Sequence, residues 1–247
     1  MSAVAKMTTP NSADAKSAAQ SSDTAERILD VAERLFMAHG YDGTSMRMIT
    51  GEAQVNLAAV NYHFGSKEDL LREVFRRRLS WLNAEHLQVL DALEAEAGGK
   101  PLKPSLIVEA FFGTLLKMGE EPALGGMTFL RLLGRTMTEP AAFIRTFFAG
   151  EYAEVMGRFK DALFRALPDV PREEIAWRFH FMLGAMSYAI AETDVLSLID
   201  GFEVSESDVE AEAARQLKAR LMPFLLGGLR APLPQLPLGM APPSAAA

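Results

Sequence analysis

Apolar residues recur along this chain at the three- and four-residue intervals of helices facing a core, and the pattern predicts an all-α protein. Asp23-Thr24-Ala25-Glu26 has the spacing of a capping box and opens the first helix; Ile28, Ala32, Leu35 and Phe36 form its inner stripe, and Gly40 ends it. Met46, Ile49 and Ala53 mark the inner face of a second, short helix, and Val60 and Phe64 that of a third. Gln54-Val55 makes the bend between them; Thr44 is placed to cap the second helix and Asn56 the third. Ser66 and Asp69 repeat the capping-box spacing and open a long helix with Leu70, Leu71, Val74, Phe75, Leu79, Leu82, Leu90 and Leu93 inside. From Lys67 to Leu90 this rod would reach about 36 Å. Gly98-Gly99-Lys100-Pro101 breaks it, and further helices follow near 105–118, 123–136, 140–167, 171–199 and 205–226, with Pro223 kinking the last. Residues 1–22 lack large apolar side chains and 230–247 are rich in Pro and Ala, so both are expected to be disordered arms. Between them lie a small three-helix unit, 23–69, and a larger helical bundle, 70–229.

Two short helices joined by a tight bend form a helix-turn-helix, whose second helix enters the major groove of DNA. Once Val60 and Phe64 turn inward, the outward residues of that helix are Leu57, Ala58, Ala59, Asn61, Tyr62 and His63. Small side chains at Ala58 and Ala59 let the backbone approach the duplex. Asn61 suits a base edge, while Tyr62 and His63 carry tips suited to phosphate. The amides that open the next helix, with Lys67, suit a further phosphate.

The stretch RILDVAERLF, followed by Thr44-Ser45-Met46-Arg47-Met48-Ile49 and then Tyr62-His63-Phe64-Gly65-Ser66-Lys67-Glu68-Asp69-Leu70, resembles the N-terminal signature of the TetR family of bacterial regulators. The resemblance covers roughly residues 24–75. It implies an N-terminal helix-turn-helix DNA-binding domain followed by a helical ligand-binding and dimerisation domain, and it adds Thr44, Ser45, Arg47 and Asn56 to the DNA-facing set. One departure is Gln54, where the family has glycine at the turn; a non-glycine residue at positive φ costs about 1 kcal/mol.

In the second half, the segment 171–199 is apolar nearly all round. Ile175, Phe179, Met182, Met186 and Ile190 lie on one side, with Trp177, Phe181, Ala185 and Tyr188 on another. A helix apolar on every side must be covered on every side. Gly184, Ala185 and Ala189 permit close approach, and the last helix adds a stripe of Val209, Ala213, Leu217, Leu221 and Leu225. This suggests a four-helix interface between two copies, built on Trp177, Phe181, Gly184, Ala185, Tyr188, Leu217 and Leu221; the alternative is a helix buried inside one chain. That the TetR family dimerises here is implied by the resemblance. The resemblance also implies a cavity in this half, and Phe111, Leu115, Met118, Phe129, Leu133, Phe147, Tyr152, Met156 and His180 are the residues expected to line it. For any one of them, a place in the core is the better account, and the case for a cavity rests on the resemblance. LAAVNYHFGSK, FLRLLGR (129–135) and WRFHFMLGAMSYAI (177–190) look like the branch that responds to long-chain fatty acids or their CoA esters. In that branch Arg131, Arg135 or His180 would meet the acid head, each being otherwise a solvated or interfacial charge. A multidrug or aromatic effector is the alternative.

The net charge is −7, which argues against a binder coated in positive charge. Locally the balance differs, because Arg47, Glu52 and Lys67 leave the DNA-facing stretch at +1; Arg76, Arg77 and Arg78 lie just beyond but are offset by Glu68, Asp69 and Glu73, so the footprint is only mildly basic. An apolar share of 49% fits a folded core; cysteine is absent, and the four histidines (His39, His63, His86, His180) lack metal-ligand spacing. GGMTF at Gly125 lacks the Lys-Ser/Thr of a phosphate-binding loop. Neither a signal peptide nor a membrane span is visible. The expectation is therefore a cytoplasmic, cofactor-free, non-enzymatic homodimer that binds an operator and a small apolar ligand. A scaffold that has lost DNA binding is the other class the mild local charge allows.

Overall fold

The computed structural model of the chain describes residues 12–138, 142–191 and 210–234, and every regular element among them is helical. Helix α1 (Ser12–Gly43), α2 (Met46–Ala53) and α3 (Leu57–Phe64) form the head. Helix α4 (Lys67–Ala97) leads into the bundle: α5 (Pro104–Val108), a π-helical turn (Glu109–Gly113), α6 (Thr114–Glu120), α7 (Gly126–Thr138), α8 (Ala142–Glu151), α9 (Ala153–Ala166), α10 (Arg172–Ile190) and α11 (Glu210–Leu229).

Several expectations change. Residues 12–22, expected as part of a disordered arm, are helical, and alanine at 13, 15, 18 and 19 gives the reason in propensity. Gly40 does interrupt α1, with φ 70° and ψ 179°. The segment expected as one helix over 140–167 is two, meeting at Tyr152. The expected ends of the helices around 192–199 and 205–209, and the arms 1–11 and 235–247, lie outside the described residues.

The head is ordered by local chemistry. Ser45, not Thr44, caps α2, its hydroxyl accepting from the Met48 amide at 3.2 Å; Asn56 caps α3 through the Ala59 amide at 2.8 Å. Ser66 caps α4 through the Asp69 amide at 3.1 Å, and its own hydroxyl donates to Asp69, holding that carboxyl below its ordinary range. Ile28, Phe36, Ile49, Val60, Leu70 and Val74 close the core between these helices. Gln54 ends α2 in the left-handed region, φ 54° and ψ 44°. Exchanging Gln54→Gly is expected to raise the unfolding free energy by about 1 kcal/mol, read by urea denaturation, and Gln54→Val to lower it.

Head and bundle are tied by charge and by rings. Glu33 of α1 is buried against Arg77 and Arg78 of α4; Arg77 also meets Asp30 at 2.7 Å, and Arg78 donates to the Ala123 carbonyl at 3.1 Å. Arg76 pairs with Glu73 and Glu151. The basic run at 76–78 is thus engaged within the fold rather than adding to the DNA-facing charge. Arg135 of α7 donates to the Met37 carbonyl of α1 at 2.7 Å, and the Phe143 ring of α8 sits 5.2 Å from that of Tyr41. Inside the bundle, α7 packs on α10 at Gly134, where a Cβ would stand 2.6 Å from the Ala191 nitrogen and 2.7 Å from the Ser187 oxygen.

Candidate nucleic-acid interface and ligand cavity

On α3, Ala58, Asn61 and Tyr62 are spaced to share one face, and all three are exposed, Tyr62 at 83%. Leu57 is exposed beside them, with Ala59 and His63 partly covered; the Tyr62 and His63 rings meet edge-on at 5.2 Å. Ser45 and Arg47 of α2 are exposed, and Lys67 holds its ammonium 4.2 Å above the Tyr41 ring at the start of α4. Glu52 is taken by Arg34 at 2.6 Å, which removes the one acid from this stretch and leaves the cations Arg47 and Lys67 dominant. Two of the expected DNA-facing residues have structural work. Thr44 is 1% exposed and the single hydrogen of its hydroxyl is shared between the Leu35 and Gly40 carbonyls, at 3.0 and 2.8 Å, so it fastens the α1–α2 corner instead of facing outward. The Asn56 side chain is engaged as a cap, although the residue is exposed.

Behind the head, α4, the π-helical turn, α6, α7, α8, α9 and α10 line a cavity of about 390 Å³. Of the expected lining residues, it brings together Phe111, Leu115, Leu133, Tyr152 and Met156. Met118 and Phe129 are instead fully packed core, and Phe147 is buried near Phe75. His180 belongs to a second cavity of about 420 Å³ with Lys160, Leu163 and Phe179; the two adjoin through Ala153, Met156 and Leu183. Neither Arg131 nor Arg135 lines either cavity, and Arg135 is held at the head. Sequence reasoning missed His86, which lines the first cavity; its place between Leu82 and Leu90 at intervals of four was the available signal. Burial pushes its imidazole down to about 4, and burial also raises the Tyr152 phenol, so both are uncharged at neutral pH.

A third region is apolar and outward. Trp177, Phe181, Gly184 and Tyr188 follow one another at four, three and four residues along α10 and are exposed, Phe181 at 64%; the Trp177 and Phe181 rings stack at 5.6 Å. Ala185 is half-buried beside them. On α11 the expected stripe turns into its own bundle: Leu221 and Leu225 are buried and Leu217 is half-buried. Leu221 is therefore core, and Phe224, 68% exposed, presents the outer face.

An exposed reading helix, a rod running from it to the wall of an apolar cavity, and a bare apolar flank together define the class of two-domain helical regulators. Among the described residues no helix is long and apolar enough to cross a membrane. A family model described as "Bacterial regulatory proteins, tetR family" matches residues 28–74, and one described as "Tetracyclin repressor-like, C-terminal domain" matches residues 109–228. The chain belongs to the TetR family, a family of transcriptional regulators rather than enzymes. Among curated relatives, the transcriptional repressor KstR2 of Mycolicibacterium smegmatis is 33% identical over 66 residues, 27% of this chain and 32% of that protein. The transcriptional regulator AcrR of Shigella flexneri is 36% identical over 87 residues, 35% of this chain and 39% of its own length. The chain thus aligns with only about a third of these relatives' length. Among solved structures, the TetR-family regulator PfmR of Thermus thermophilus superposes with a TM-score of 0.54 at 20% identity, over 83% of this chain and all of the other. KstR2 of Mycobacterium tuberculosis, a ketosteroid transcriptional regulator, gives 0.53 at 15%, over 81% and 93%. These two structures share the fold.

Proposed function

We propose that the chain is a homodimeric, cytoplasmic repressor that holds a palindromic operator through its α2–α3 face and lets go when an elongated apolar effector fills the bundle cavity. The observation that carries this reading is α4 itself: Lys67 stands at its start, and Leu82 and His86 of the same helix form part of the cavity wall. Nineteen residues at 1.5 Å each put about 28 Å of rigid helix between Lys67 and His86, so a tilt at the cavity displaces the phosphate contact. Two further contacts run the same way, Arg135 to Met37 from α7 and Phe143 to Tyr41 from α8. Two copies would bring their recognition helices about 34–36 Å apart, one turn of B-DNA. The exposed flank of Trp177, Phe181, Tyr188 and Phe224 supports the pairing.

For the effector, a long-chain fatty acid or its CoA ester is the finer reading. The first cavity suits an acyl chain, with each buried methylene contributing about 0.8 kcal/mol. Lys160 and His180 in the adjoining cavity suit an acid head. The aromatic side chains Phe111, Phe148 and Tyr152 in the wall favour an aromatic effector as the second reading.

The test is operator binding, by fluorescence anisotropy on the gene's own upstream DNA across a salt series. Asn61→Ala is expected to lose about 1–3 kcal/mol and relax sequence preference. Lys67→Ala is expected to weaken all sequences alike and flatten the salt dependence by about one unit per contact removed. Lys67→Ala and Tyr62→Phe variants that bind as the parent does at every salt concentration would remove the phosphate contacts from this proposal.

A further inference from the structure

His86 is 1% exposed, stacked on Phe111 at 4.8 Å and edge-on to Phe159 at 5.7 Å. Its Nε2 lies 2.9 Å from the Phe111 carbonyl oxygen. That oxygen only accepts, so Nε2 carries the ring hydrogen and Nδ1 keeps a lone pair. Nδ1 is buried without a hydrogen-bond partner, on a residue that forms part of the cavity wall. An acceptor so placed is costly until a donor meets it. No side chain of the described wall makes that bond: Leu82, Leu115 and Leu133 are apolar, the Ser187 hydroxyl is engaged with the Leu183 carbonyl at 2.7 Å, and the Tyr152 phenol is not bonded to Nδ1. Among the described residues of this wall there is no Asp, Glu, Lys or Arg.

We infer that the effector carries an uncharged hydroxyl on an otherwise aliphatic body and donates it to His86 Nδ1. This rests on the acyl-chain reading above and narrows it. A ketone or ester cannot fill the position, because each would set an acceptor against an acceptor, and a carboxylate fits only if a proton is taken up between it and the buried ring. An ammonium would enter an apolar wall with no anion to meet it. A hydroxyl also has lone pairs, and the Tyr152 phenol of the same cavity is protonated and can donate. The acid head of a hydroxylated fatty acid would then belong to the adjoining cavity with Lys160 and His180, while a fatty alcohol needs no such head.

The experiment is titration calorimetry on the full chain with hexadecanoic acid, hexadecanol and sixteen-carbon acids hydroxylated at successive chain positions. At least one hydroxylated member is expected to bind about tenfold tighter than the plain acid. His86→Leu is expected to abolish that preference, read as the ratio of hydroxylated to plain acid affinity within the same variant. His86→Gln is expected to restore part of it, since its amide can donate to the Phe111 carbonyl and accept from the ligand. Plain acid binding as tightly as every hydroxylated member, or a preference that survives His86→Leu, overturns the hydroxyl assignment and leaves the acyl reading standing. Failure of the whole panel to bind overturns both. If His86→Leu does not fold, the parent's ranking of the panel decides.

Discussion

A chain carrying Phe181→Glu and Phe224→Glu is expected to be monomeric at concentrations where the parent is dimeric, and to lose operator affinity with it. Both side chains are exposed in the single chain, so the substitutions cost little in folding. In a two-fold interface each occurs twice, and each leaves an unpaired carboxylate away from water. Even a total of about 4 kcal/mol multiplies the dissociation constant roughly a thousandfold. Sedimentation velocity reads the association, and circular dichroism confirms that the helices remain. A double variant of unchanged mass, still bound to a two-half-site operator, would move the interface elsewhere.

Gly134→Val is expected to be the most damaging single change inside the bundle. Overpacking a core costs about 1–3 kcal/mol when neighbouring side chains can shift. Here the nearest atoms include the Ala191 nitrogen and the Ser187 oxygen, which belong to the backbone and cannot rotate away. The cost is therefore placed at the upper end, a fall of roughly 5–10 °C in the thermal midpoint. The same two helices supply Leu133, Met137, Met186 and Ile190 to the cavity wall, so forcing them apart also reshapes the effector site. Gly134→Ala should show the same effects at smaller size. A melting curve superimposable on the parent's would mean that α7 and α10 do not approach as described.

The head was legible because its information is local. Caps, a bend and a few inward residues lie within a few positions of each other, and the chain supplies each in order. Local reading puts the α2 cap on Thr44, whereas Ser45 makes it. Thr44 and Ser45 both qualify, and only the packing of α1 places Thr44 inside. In the bundle, spacing identifies buried residues but not what they are buried against. Met118, Phe129 and Phe147 share the apolar character of Phe111 and Leu133, yet they fill core while the latter border empty space. The stripe at 217, 221 and 225 was a true stripe read as facing the wrong way, because an inward face and an interface have the same period. The π-helical turn at Glu109–Gly113 leaves no mark in the apolar spacing, and it sets the Phe111 carbonyl that orients His86.

The tie between Arg135 and Met37 ends on a main-chain oxygen. Every amino acid offers that oxygen, so the surface of α1 is free to diverge, exchanging Met37 for other side chains, without loosening the catch. The burden of keeping it falls on one guanidinium on α7, two residues from Leu133 and from Met137 in the cavity wall. A lineage that changes its effector by remodelling α7 therefore alters, in the same short segment, how firmly the signal is passed on.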